Sequence, residues 1–375
     1  MLAGLRIDSG GEAADGAMSG SVLEHVWHAS TIRFLGDGLP GGDVVTAKAT
    51  LRDWSEWFPF WAKRGEAYEA FARDALAKGR RQSAGELFWH ACLCWHYAQF
   101  LWFHDPANRD GGQRRKVALY REAAPLFAIP AERFDLPLDG CTIPGYLRVP
   151  PMYPGRVPVA IILGGLESTK EESYLMENRC LARGMATCTF DGPGQGEMYF
   201  QAKMRPYFHR FTSAVIDWLE KRPEVDAGRI GILGRSLGGF YAVHSAAHEP
   251  RIKVCVAWGV LYDLSYYETM SDPSRLGFAY VAGFNDHVPA GPVLKGILNL
   301  DGQAERVRCP VYALHGAKDD LIPPSQVDKL RNALAGNPDV TFDIPEDGDH
   351  CCHNLYHVVR PRMTDWLTER LGART

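Results

Sequence analysis

Ser236 stands between two glycines in Gly234-Arg-Ser-Leu-Gly238, directly after the apolar run 230–233. A serine hydroxyl is a weak nucleophile. To attack a carbonyl it needs a turn that exposes it, a base that takes its proton and donors that hold the oxyanion. The Gly-x-Ser-x-Gly spacing predicts that turn: a strand runs into Ser236, a helix leaves it, and glycines remove the side chains that would collide. The helix-like stretch 237–248 makes the N–H of Leu237 the first free donor at the helix start.

An acid and a base follow in order. His315-Gly-Ala-Lys-Asp319-Asp320 comes after the apolar run 311–314, with Asp319 the candidate acid and Asp320 its competitor. Glu346-Asp-Gly-Asp-His350 comes after the run 340–344. His350 is the candidate base, to take the proton of Ser236, while Asp319 fixes its tautomer and stabilises the imidazolium. His353 is the rival base, predicted in the first turn of a closing helix. The order Ser, Asp, His, each after a strand, is that of α/β hydrolases and differs from the two serine-protease orders. A second oxyanion donor is expected from the loop after the run 158–163, at the N–H of Leu166 or of Gly165.

These residues need a sheet to carry them. Residues 158–163 form a continuous apolar run, as in a strand buried on both faces of a parallel sheet. Predicted helices at 171–183, 206–221, 326–334 and 355–371 alternate with predicted strands at 185–190, 230–233, 253–258, 311–314 and 340–344. Two further strands over 134–149 turn near Asp139-Gly140. The pattern predicts a doubly wound, mostly parallel α/β catalytic domain over 131–375, with its site beyond the carboxyl ends of the strands. Residues 261–307 are too many for a plain loop and are expected to add helices over the site.

Residues 21–130 read differently. Trp54, Trp57, Phe58 and Trp61 recur at helical steps, and Ala84, Phe88, Ala91, Trp95 and Trp102 continue the style. This predicts an α-helical cap domain whose aromatics mostly pack a core, with some lining a substrate pocket. His90, His96 and His104 share no helix face, which argues against a metal site there; one of them is a candidate for substrate contact. Residues 1–20, rich in Gly, Ala, Ser and Asp, are expected to be a disordered leader, with Met18 an alternative start.

The totals exclude other classes. The 375 residues suit one large domain with a cap, and a net charge of −4 gives no reason to expect nucleic acid or an anionic membrane as partner. The nine cysteines fit neither a disulfide framework nor a zinc site, so free thiols in a reducing cytoplasm are expected. No apolar run is long enough to span a membrane, and no secretion signal opens the chain.

Four stretches together carry a family resemblance: Gly164-Gly-Leu-Glu-Ser-Thr-Lys-Glu-Glu172, Phe190-Asp-Gly-Pro-Gly-Gln-Gly-Glu197, the turn around Ser236, and Asp347-Gly-Asp-His-Cys-Cys-His-Asn354. They resemble the 2,6-dihydroxypseudooxynicotine hydrolase family and are similar to fungal hydrolases that shorten polyketide chains. The resemblance implies an α/β-hydrolase fold with an N-terminal helical cap and no cofactor; with the histidine and cysteine spacings above, no metal is expected. It implies cleavage of a carbon–carbon bond beside a ketone, with Ser236, Asp319 and His350 as triad, on an aromatic or polyketide-like small molecule. It also implies an assisting acid after the next strand, for which Glu268 is the candidate and Asp263 the alternative. Ester, thioester or lactone hydrolysis, acyl transfer and cyclisation use the same acyl enzyme and form the second reading. A non-catalytic ligand receptor is the third. The aromatic cap is a candidate homodimer surface.

Overall fold

The computed structural model describes residues 12–153 and 155–373, with side chains described from Val22 onward. Five helices come first: α1 (Glu12–Gly36), α2 (Gly41–Thr50), α3 (Trp57–Ala77), α4 (Arg81–Ala98) and α5 (Pro106–Ala123). Helix α1 begins at Glu12, so the leader expected over 1–20 is helical from that residue; its first eleven residues lie outside the described ones. Local chemistry sets several helix starts. Asp53 and Glu56 form a reciprocal capping box just ahead of α3, and Asp105 accepts from the Asn108 N–H with Pro106 at the first position of α5.

The helical spacing of the aromatics translates into a packed interior. Trp57 and Trp61 are fully buried, and Trp54 stacks on Trp57 with ring centroids 5.1 Å apart. Burial of such rings is worth about 2–3 kcal/mol each, which is how a helical layer without a sheet holds together.

The remainder winds around an eight-stranded sheet. Its elements run β1 (Glu132–Leu138), β2 (Cys141–Arg148), β3 (Val157–Leu163), α6 (Tyr174–Leu181), β4 (Ala186–Phe190) and α7 (Phe208–Leu219). They continue with β5 (Val225–Arg235), α8 (Leu237–His248), β6 (Ile252–Trp258), α9 (Asp272–Ala282) and α10 (His287–Ile297). Strand β7 (Val311–Leu314), α11 (Ser325–Ala333), β8 (Val340–Asp343) and α12 (Tyr356–Leu371) complete the chain. The strand order is β1-β2-β4-β3-β5-β6-β7-β8; β2 runs antiparallel to both neighbours and the strands from β4 to β8 are parallel. Every residue of β3 and β4 is buried, as expected of strands covered by helices on both faces. Leu163 pairs with Gly234, so the loop leaving β3 emerges beside the turn that leaves β5. The long segment after β6 supplies α9 and α10.

Candidate active site

The turn after β5 is strained as its sequence demands. Ser236 has φ +56° and ψ −120°, a conformation rare outside glycine. Side chains on either flank would not fit. A Cβ on Gly234 would lie 1.8 Å from the Gly238 carbonyl oxygen, and one on Gly238 would lie 2.5 Å from the Leu163 oxygen. Trp258, at the end of β6, accepts from the Ser236 N–H at 2.6 Å, and its indole N–H donates to the Cys351 carbonyl at 2.5 Å. One residue therefore braces both Ser236 and the turn that carries His350.

His350 bridges the other two groups. Its Nε2 lies 3.1 Å from Ser236 Oγ and its Nδ1 2.8 Å from Asp319 Oδ2. An ionised carboxylate only accepts, so Nδ1 donates to Asp319, and in the neutral ring Nε2 accepts from the serine hydroxyl. Asp319 is held by its other oxygen, which accepts from the N–H groups of Leu321 at 3.0 Å and Ile322 at 2.8 Å. Burial pushes the Asp319 carboxyl up, but the His350 charge and these hydrogen bonds outweigh it and hold it below its ordinary range. Burial pulls His350 down; Asp319, with Cys351, outweighs that and raises it well above the ordinary histidine value. Asp320 turns outward and meets His28 of α1 at 3.0 Å. His353 lies in the 3-10 turn ahead of α12, buried, and burial with nearby Arg235 and Arg360 lowers it well below the ordinary histidine value.

The loop after β3 lies on this turn. A Cβ on Gly165 would stand 3.0 Å from the Arg235 carbonyl oxygen and 3.2 Å from Ser236 Cβ. Gln195, from the Asp-Gly-Pro-Gly-Gln-Gly stretch after β4, donates to the carbonyls of Gly164 at 2.9 Å and Gly165 at 3.3 Å, while accepting from the Gly192 N–H at 3.1 Å. The loop's carbonyls are thus drawn to one side. Leu237 begins α8, where an N–H has no partner within the helix.

A cavity of about 110 Å³ opens above Ser236. It continues outward into a cleft of about 510 Å³, with His25, Tyr266, Met270, Ser274 and Leu321 lining both. Gly165, Leu166, His350 and Phe278 of α9 line the inner part; the cap contributes Arg33, Phe100 and Leu101. Most cap aromatics therefore serve its core, and His90, His96 and His104 do not line the cavity. His25 of α1 takes the place expected of one of them.

Two expectations fail here. Glu268 sits on the surface, paired with Lys295 at 2.6 and 2.7 Å, and does not line the cavity. The chain folds into a short 3-10 turn at Tyr267–Thr269, which turns Tyr266 and Met270 inward and the acid outward. The alternative, Asp263, is held by Gln326 at 3.0 Å and Lys329 at 2.6 Å and is likewise absent from the lining. The acid that does line the cavity is Glu167, which pairs with Arg109 at 3.2 Å.

Comparison with known proteins places the chain. The profile of the FrsA-like esterases matches residues 50–273, and that of the dienelactone hydrolase family residues 195–357. The chain is 43% identical to 2,6-dihydropseudooxynicotine hydrolase of Paenarthrobacter nicotinovorans, over 91% of each chain. The chain belongs to this family of α/β hydrolases. The solved structure of 2,6-dihydroxy-pseudo-oxynicotine hydrolase superposes with a TM-score of 0.84 at 42% identity, covering 92% of this chain and 97% of the other. Hydrolase ffsE of Aspergillus flavipes is 31% identical over 89% of this chain and 83% of its own. This α/β hydrolase contains, among its described residues, no helix long and apolar enough to cross a membrane.

Proposed function

We propose that this hydrolase cleaves a carbon–carbon bond beside a ketone, with Ser236 as nucleophile, His350 as base and Asp319 as its orienting acid. The observation that carries the reading is His350 lying within hydrogen-bond reach of both Ser236 and Asp319 on the floor of a capped cavity. Ser236 Oγ adds to the ketone carbonyl as its proton passes to His350 Nε2. The N–H groups of Leu237 and Leu166, or of Gly165 in place of Leu166, hold the oxyanion. Collapse breaks the C–C bond, and the carbon fragment leaves as an enol or electron-rich aryl carbon, protonated by His350. Water activated by His350 then splits the acyl enzyme, releasing a carboxylic acid and restoring the serine.

Carbon is a poorer leaving group than oxygen, so a closed, dry site favours this reaction. The narrow inner cavity beneath the cap supports that. The similarity to 2,6-dihydropseudooxynicotine hydrolase, with the resemblance to fungal polyketide-shortening hydrolases, supports an aromatic or polyketide-like small molecule as substrate class. Turnover of a panel of aryl ketones, β-diketones and esters tests it. Cleavage of a ketone to an acid is expected; rapid ester turnover without ketone cleavage would overturn the reading.

The profile matches to esterases and dienelactone hydrolases favour a second reading, ester or lactone hydrolysis by the same groups. Labelled water distinguishes acyl transfer or cyclisation from both, since hydrolysis must place its oxygen in the released acid.

A further inference from the structure

Away from the cavity, three histidine rings meet between α7 and α8. His209 comes from α7, while His244 and His248 lie one turn apart on α8. The rings of His209 and His248 stack with centroids 4.3 Å apart, and His244 lies 5.0 and 4.8 Å from them. One ring nitrogen from each residue falls within 4.8 Å of the other two.

The hydrogen bonds orient these nitrogens. His248 Nδ1 donates to the His244 carbonyl at 2.9 Å, which leaves the lone pair on Nε2. His244 is 2% exposed, and its Nδ1 has no hydrogen-bond partner. Its hydrogen bond with Gln303 favours the protonated ring, so the Gln303 oxygen accepts, and it accepts from the other nitrogen because Nδ1 has no partner. The His244 lone pair is then on Nδ1. His209 Nδ1 is also buried without a partner. A buried polar nitrogen left unpaired is costly, and two in one cluster call for a common partner.

A carboxylate cluster provides the contrast. Glu171, Asp191 and Glu197 also come together, but the Lys170 ammonium lies 2.6–2.7 Å from each and is their cation. At the histidine cluster a cation reaches one ligand only. The exposed Arg306 guanidinium donates to His248 Nε2 at 3.2 Å.

We propose that His209, His244 and His248 form a binding site for a borderline transition-metal ion, zinc foremost, that ties α7 to α8. Three neutral imidazoles suit zinc, cobalt or nickel rather than the oxygen-seeking magnesium or calcium. Gln303 and the His244 carbonyl are the outer partners that fix two of the rings. Binding turns the His209 and His248 rings out of their stack so that their nitrogens converge on the ion, and Arg306 swings into solvent. His244 and His248 stand about 12 and 18 Å along α8 from Ser236, so the site braces the helix behind the nucleophile and does not touch substrate.

The test uses full-length protein free of any histidine tag and stripped with a chelator. Cobalt(II) and zinc are titrated, with visible cobalt absorption, calorimetry and melting temperature as readouts. One ion per chain, ligand-field bands of nitrogen-bound cobalt and a melting temperature raised by several degrees are expected. His209→Gln and His248→Gln, both at partly exposed positions, should weaken binding at least tenfold. Arg306→Gln, which removes the competing cation, should tighten it. Absence of stoichiometric binding in both wild type and Arg306→Gln would overturn the proposal, as would binding that survives both histidine substitutions unchanged.

Discussion

Arg235, the residue before Ser236, donates to both carboxylate oxygens of Asp37 at 2.9 and 2.8 Å. Asp37 follows α1, so the cap is fastened to the strand that leads into Ser236. Arg360 of α12 also reaches Asp37, at 3.0 Å. Glu172 accepts from Arg235 and, at 2.9 Å, from Arg33 of α1. Burial pushes the Glu172 carboxyl up, but Arg235, Arg33 and His96 outweigh it and hold it well below its ordinary value. Asp37→Ala leaves the guanidiniums of Arg33, Arg235 and Arg360 short of a partner, and breaking a buried pair typically costs about 3–5 kcal/mol. A lower denaturation midpoint together with a lower kcat is expected; unchanged values for both would show that the fastening carries no weight.

Ser236→Ala should reduce kcat by about three to six orders of magnitude, since the nucleophile and its base act as a unit. A fluorophosphonate probe should label the wild type and leave the variant unlabelled. A receptor lacking catalysis would leave both unlabelled.

His350 must be neutral to accept the proton of Ser236, and its folded-state pKa is raised, with Asp319 the chief opposing charge. Activity is therefore present above that raised pKa and is lost as pH falls through it. The acid limb of kcat/KM should be centred above the ordinary histidine value of about 6.5. Asp319→Asn removes the anion and should move the limb downward while lowering the plateau. A wild-type limb at or below 6.5 would contradict this assignment.

Gln195 does not touch Ser236, yet it holds the carbonyls of Gly164 and Gly165 in the loop proposed to present the second oxyanion donor. Gln195→Ala should let that loop turn and blur one donor, lowering kcat about tenfold to a hundredfold, with KM changing much less. An equal change in KM and none in kcat would assign Gln195 to substrate binding instead.

Glu268→Gln should leave kcat within about twofold of wild type, because the side chain is solvent-exposed and bound to Lys295. Glu167→Gln, at the acid that lines the cavity, is the informative partner measurement. A large loss from Glu268→Gln alone would mean that the 3-10 turn carrying it moves into the site during turnover.

Several features were legible in the chain because they are local or ordered along it. The glycines around Ser236 follow from a steric demand within five residues. Asp319 and His350 follow from their places after successive strands, since a parallel sheet gathers the carboxyl ends of its strands at one edge. Helical spacing likewise marked the cap aromatics as mainly core.

What the tertiary structure decided depends on direction and on distant neighbours. Offset from a strand does not say which way a loop side chain points, so Glu268 read as an active-site acid while Glu167 and Tyr266 face the cavity. The Asp37–Arg235 fastening joins residues 198 apart, and Gln195 acts across 30 or more. His209 meets His244 and His248 only because α7 packs on α8. Such partners leave no periodic trace in sequence, because their spacing is set by how elements pack rather than by the repeat of any one of them.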